Sequence, residues 1–149
     1  MEAIIGGAIA AVIGAGAGLA ATLWLTYRNK KSEQTLIVFE LLIEVKENLT
    51  ICLDPAIREL WWSVKYKTLA YDKYKGKIDF LPQDVRDTLA VVAYLVEPVN
   101  SSVDVHRLMS ALQTHYDSTA FKPIPTFKPL EKSLVFLKNE LMKWQEMRK

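Results

Sequence analysis

The chain has 149 residues, of which half are hydrophobic and 24% charged, with a formal net charge of +2 and a single cysteine. That length suits about one domain with its own core. The near balance of charge excludes the strongly basic surface of a nucleic-acid binder, and a lone cysteine excludes an internal disulfide.

The apolar content is concentrated at the N-terminus. Ala3 to Thr26 are 24 consecutive residues without a charge, which as a helix would extend about 36 Å against a hydrocarbon core of about 30 Å. A single transmembrane helix over Ala3 to Tyr27 is therefore expected. A cleaved signal peptide would open on a basic region and have a shorter apolar core, whereas the only early charge is Glu2. Trp24 and Tyr27 fall where an aromatic belt meets the headgroups, and Arg28, Lys30 and Lys31 follow at once. A positive flank on the C-terminal side places the N-terminus outside and the remaining chain in the cytoplasm. In that topology the sequons at Asn48-Leu49-Thr50 and Asn100-Ser101-Ser102 carry no glycan. The expected division is residues 1–27 as anchor and 28–149 as a soluble helical domain.

Inside the anchor lie five of the six glycines, together with eight alanines. Small residues recur every four positions at Gly6, Ala10, Gly14, Gly18 and Thr22, a row that contains a GxxxG pattern. Such a row lets another helix backbone approach closely, so it is the candidate helix-association face.

The rest of the chain reads as all-α. From Ser32 to Leu53 the apolar residues Val38, Leu41, Leu42, Val45, Leu49 and Cys52 follow helical spacing, with Glu40, Glu44 and Glu47 on a polar face. Asp54-Pro55 ends that helix and starts the next. The second helix is expected over Pro55 to Tyr74, with Ile57, Leu60, Trp61, Val64 and Leu69 inward and Lys65, Lys67, Lys73 and Lys75 solvated. A loop follows from Lys77 to Leu81. The third helix begins near Pro82, with Asp84 in the electropositive first turn and Val85, Leu89, Val92 and Val96 inward. Pro98 ends or kinks it. The polar run Asn100-Ser101-Ser102 favours a break, with Ser102 capping a fourth segment on Val105, Leu108, Met109 and Leu112, although one long kinked helix fits as well. Asp117 to Lys128, with Pro123 and Pro125, reads as a connector. The last helix, Pro129 to about Met147, presents Leu130, Leu134, Leu137, Leu141 and Trp144 at spacings of three and four. Sustained apolar–polar alternation is absent, so the expected fold is one transmembrane helix followed by an antiparallel bundle of four to five helices.

Chemistry is sparse. His106 and His115 are nine apart and point to opposite sides of one helix, and neither has a glutamate three residues before it, so no metal site and no cofactor are expected. Glu40, Glu44 and Glu47 share a face in the manner of a solvated amphipathic helix, while Glu44 and Asn48, one turn apart, offer a polar pair inside the bundle. Cys52 sits in an apolar setting that suits a buried thiol. Trp61 and Trp62 cannot both face one core, which leaves Trp62 at an edge as a possible partner surface. No nucleophile elbow, phosphate-binding loop or dinucleotide fingerprint occurs.

Two functions from different classes follow. The first is a non-enzymatic interaction module, anchored in the bilayer and assembling as a homo-oligomer or with a larger membrane protein. The second is a membrane-active effector whose glycine-rich spans cluster and permeabilise the bilayer. Nucleic acid is not an expected partner.

Overall fold

The computed structural model describes residues 2–55, 64–111 and 127–148, and leaves the side chains of residues 2–17 and of Phe127 outside the description. Among these residues there are four helices and no strand: α1 (Glu2–Leu53), α2 (Leu69–Tyr74), α3 (Gln83–Ala111) and α4 (Phe127–Glu146). The chain divides into two compact units, Met1–Leu36 and Ile37–Lys149.

The second unit is a helical bundle whose core follows the sequence periodicity on three of its helices. On α1, Val38, Leu41, Leu42, Val45, Leu49 and Cys52 are all buried, joined by Ile37. On α4, Leu130, Leu134, Leu137, Leu141 and Trp144 form one buried stripe, and this helix packs directly against α3. Each leucine so buried contributes about 1.5–3 kcal/mol relative to exposure. Phe80 closes one end of the stripe, with its ring 5.3 Å from that of Trp144. Asp54-Pro55 terminates α1 as expected. Helix α4 begins two residues before the expected Pro129, which sits in its first turn, where a missing N–H costs nothing.

Two expectations are corrected. The helix expected over Pro55 to Tyr74 is not continuous: Val64 to Thr68 are not helical, and helix resumes only at Leu69. Leu69, expected inside, is 79% exposed, and Tyr66, Ala70 and Tyr74 are buried instead. Residues 56–63, with Ile57, Leu60 and Trp61, lie outside the described residues.

The segment expected to start at Ser102 is also not separate, because α3 runs through Pro98 to Ala111. Ser102 caps nothing; its hydroxyl donates to the carbonyl of Pro98 at 2.8 Å, a back-bond within the helix. Continuity preserves the helical phase, so the inward stripe passes from Val92 and Val96 to Val99 and Val103. Val105 and Leu108, assigned inward on the assumption of a restart, are 45% and 60% exposed. Pro98 is itself exposed, so water can satisfy the Tyr94 carbonyl that its missing N–H leaves behind.

The two leucine environments give a matched test. Leu137→Ala should lower the unfolding free energy by about 2–5 kcal/mol in urea titrations, whereas Leu108→Ala should change it by less than about 0.5 kcal/mol. Comparable losses at both positions would contradict the phase of α3.

Candidate functional site

A highly organised polar feature of the second unit surrounds the non-helical segment Val64–Thr68. Its residues alternate in burial: Tyr66 is buried between exposed Lys65 and Lys67, with Val64 and Thr68 half-buried. With no strand beside it among the described residues, its main-chain groups at Tyr66 and at Lys67 are each met by an asparagine. Asn48 on α1 donates from Nδ2 to the Lys67 carbonyl at 2.7 Å and accepts from the Lys67 N–H at 2.7 Å. Asn100 on α3 does the same for Tyr66, donating to its carbonyl and accepting from its N–H, both at 2.9 Å. Each side-chain amide thus stands in for the peptide group of a neighbouring strand.

Next along the chain, Glu44 receives the N–H of Ala70 at 2.6 Å and that of Tyr71 at 3.2 Å, satisfying the first donors of α2. The outer rim is ionic: Lys65 contacts Asp104 at 2.6 Å, Lys67 contacts Glu47 at 2.9 Å and Lys73 contacts Glu40 at 2.8 Å. The Tyr66 hydroxyl lies 3.4 Å from the buried Cys52 thiol. Within residues 65–73 the main chain is therefore held at Tyr66 from α3 and at Lys67, Ala70 and Tyr71 from α1, with charged pairs outside it.

The acidic face of α1 is accordingly not simply solvated. Glu40, Glu44 and Glu47 each bind a different part of the 65–73 segment, and Glu44 and Asn48 are 8% and 1% exposed. Burial raises the Glu44 carboxyl above its ordinary value of 4.5; the two N–H groups oppose this and the charges of Asp72 and Glu47 add to it. The half-buried Glu40 moves the other way, held down chiefly by its hydrogen bond with Lys73.

Two hollows lie beside these elements. One, of about 490 Å³, is lined mainly by Leu81, Pro82, Val85, Leu141, Trp144 and Met147. The other, of about 510 Å³, runs past Tyr71, Tyr94, Glu97, Asn100 and Asp104. Among the described residues, no group of three or more His, Cys, Asp or Glu side chains could hold a metal ion.

The sites singled out by sequence fall elsewhere. Of the small-residue row, Gly6, Ala10 and Gly14 belong to the part of α1 whose side chains are outside the described residues. Gly18 and Thr22 are exposed, and a methyl group added at Gly18 would meet no atom within 4 Å. The Thr22 hydroxyl donates to the Gly18 carbonyl at 2.9 Å. Trp24, Tyr27, Arg28, Lys30 and Lys31 are all exposed, with the Arg28 guanidinium 5.3 Å from the centre of the Trp24 ring. Trp62 lies outside the described residues. Among the residues whose side chains are described, which exclude residues 2–17, no helix is long and apolar enough to cross a membrane.

Sequence reasoning missed Asn100 and the non-helical segment. The available signal was the short alternation Val64-Lys65-Tyr66-Lys67-Thr68, which a helix-length window absorbs. Comparison of the chain with protein-family models, with curated proteins and with solved structures finds no match.

The paired amides set two expectations. Asn48→Ala leaves the part-buried N–H and carbonyl of Lys67 without their partner and should destabilise by about 1–3 kcal/mol in urea titrations. Asn48→Asp keeps the acceptor but directs negative charge at the Lys67 carbonyl, and should cost more than Asn48→Ala at neutral pH. For Glu44, the folded protein holds the proton more tightly than the unfolded chain, so this residue's contribution to stability is fully present at low pH. It is lost as pH rises from 4.5 through the raised folded value. The stability of the native chain relative to Glu44→Gln should therefore fall on raising the pH across that range, and a flat difference would contradict the burial argument.

Proposed function

We propose that the chain is a non-enzymatic, single-pass membrane-anchored interaction module, with the bilayer holding residues 3–27, the N-terminus outside and the helical domain in the cytoplasm. One observation carries the reading. At the described end of the uncharged segment, Leu19, Leu23, Trp24, Leu25 and Tyr27 are 51–69% exposed. At 100° per residue these side chains are distributed around most of the helix circumference. A helix that is apolar on most sides is covered in a protein core or in lipid, and leaving it in water costs about 25 cal/mol per Å² of apolar surface. The Trp24–Arg28 stack at the boundary fits an interfacial position, where aromatic rings and basic groups meet headgroups.

Assembly is assigned to the row Gly6, Ala10, Gly14, Gly18 and Thr22, on which the open space at Gly18 leaves room for a second helix. The Thr22 back-bond satisfies its hydroxyl within the helix, so that face presents no unmet polar group to lipid at this position.

The full chain should stay with membranes through alkaline carbonate extraction, and a chain lacking residues 1–27 should not. Changing Gly14 and Gly18 together to Ile should sharply reduce crosslinked dimer, because the bulkier side chains hold the two helix backbones apart. Carbonate release of the full chain would remove the anchor, and unchanged crosslinking would remove the association face.

A further inference from the structure

We propose that N-glycosylation and the fold of the second unit exclude each other, so that this domain is confined to the side of a membrane on which no oligosaccharide is transferred to Asn48 or Asn100. The inference goes beyond anchoring and does not rest on it, since every residue involved belongs to the second unit.

The sequons Asn48-Leu49-Thr50 and Asn100-Ser101-Ser102 place their acceptor asparagines where the main chain of Lys67 and Tyr66 depends on them. A sequon asparagine that carries a glycan ordinarily lies on a surface loop. Asn48 is instead 1% exposed and Asn100 half-buried, both within helices. Each amide is committed through its oxygen and its nitrogen at once. In oligosaccharyl transfer, Nδ2 loses one proton and bonds to the anomeric carbon of a lipid-linked oligosaccharide, while the bond from that carbon to the lipid pyrophosphate breaks and the pyrophosphate leaves. The acceptor becomes a secondary amide.

The position of the new bond decides the outcome. One residue presents its N–H and its carbonyl side by side to each asparagine, so the hydrogen that Nδ2 donates is the one on the same side as Oδ1. A secondary amide keeps its two carbon substituents trans. With Cβ on the far side, the sugar carbon takes the place of that donated hydrogen, about 1.45 Å from Nδ2. The Lys67 carbonyl stands on the same line 2.7 Å from Asn48, and the Tyr66 carbonyl 2.9 Å from Asn100. Sugar and carbonyl cannot share that space, so the segment is displaced, and Tyr66, 4% exposed in the fold, leaves the core with it. Transfer to a nascent chain precedes burial, so the folded state gives no protection.

The sequon hydroxyls are dispensable by comparison. Thr50 donates to the Lys46 carbonyl at 3.0 Å and Ser102 to that of Pro98 at 2.8 Å, back-bonds that add little to a helix. Thr50→Ala with Ser102→Ala therefore removes both acceptor sites and keeps both asparagines.

The test delivers the full chain to glycosylating microsomes in two forms, one behind a cleavable signal peptide and one behind an added span whose N-terminus is lumenal. Each form ends in an extra sequon after Lys149. The first form carries the domain into the lumen if residues 3–27 do not hold in the bilayer, and the second if they do. Glycan on the added sequon thus reports on the anchor and identifies the form to be read. In that form, native chains should carry sugar at Asn48 or Asn100 and be cleaved by trypsin about tenfold or more faster than chains with Thr50→Ala and Ser102→Ala. Blocking synthesis of the lipid-linked oligosaccharide should restore resistance to the native chain, an arm that stands even if the double variant folds poorly. Chains that bear sugar at either asparagine and resist trypsin as well as the unglycosylated native chain would overturn the proposal. Sugar on the added sequon alone would overturn it too, since the domain would then fold unmodified in a glycosylating compartment.

Discussion

A non-helical segment among packed helices has no regular partner for its main-chain polar groups, and the second unit is organised around that constraint. A helix satisfies its own amides and a sheet satisfies them between strands, but Tyr66 and Lys67 have neither, while the Thr68 carbonyl is already taken by the Asp72 N–H of the following helix. Leaving one N–H and one carbonyl unmet at each of two residues would cost several kcal/mol in total, a large share of the net stability of a domain this size. Asn48 and Asn100 remove that penalty because the side-chain amide reproduces the peptide group's own donor and acceptor. Their placement on α1 and α3 also ties those two helices together through a segment that belongs to neither.

Charge is used in layers around the same segment. The lysine pairs with Glu40, Glu47 and Asp104 are exposed, and exposed ion pairs are individually worth little. Their value is in register, since each fixes a different residue of the 65–73 stretch. Glu44 is different. It is buried, so its carboxylate carries a desolvation cost, and the amides of Ala70 and Tyr71 offset part of that cost. One helix face thus changes character within two turns, from an exposed pair at Glu40 to a buried cap at Glu44 and a neutral amide at Asn48.

Helical class, the α1 core and the α4 core were legible in the sequence because long amphipathic segments repeat their apolar positions many times. Leu130 to Trp144 leave little room for another phase. The errors lie where a single residue decides between two continuations. Pro98 breaks a helix when its neighbours can turn away, but Val96, Val99 and Val103 keep one phase and are all buried, so packing outweighs the lost hydrogen bond. Lys65 to Thr68 contain only five residues of alternation with Val64, fewer than a turn and a half of helix, and periodicity cannot separate the two readings at that length. What settles the matter is Asn48 and Asn100, 19 and 34 residues away in sequence from their partners, and no local pattern carries that information. On the acidic face of α1 the spacing placed Glu44 and Asn48 inside the bundle, where they are buried, but the segment that Glu40, Glu44 and Glu47 meet there was out of reach for the same reason.

Helix α2 is six residues long, well below the length at which a helix holds together alone in water. It exists because Glu44 meets its first amides and because Ala70 and Tyr74 are buried, and both conditions require α1 to be in place already. The dependence runs both ways, because Tyr66 and Lys67 in turn join α3 to α1 through Asn100 and Asn48. A change that removes Glu44 or Asn48 therefore reaches further than the contact it deletes, since it loosens the hold of one long helix on another as well as the short helix between them.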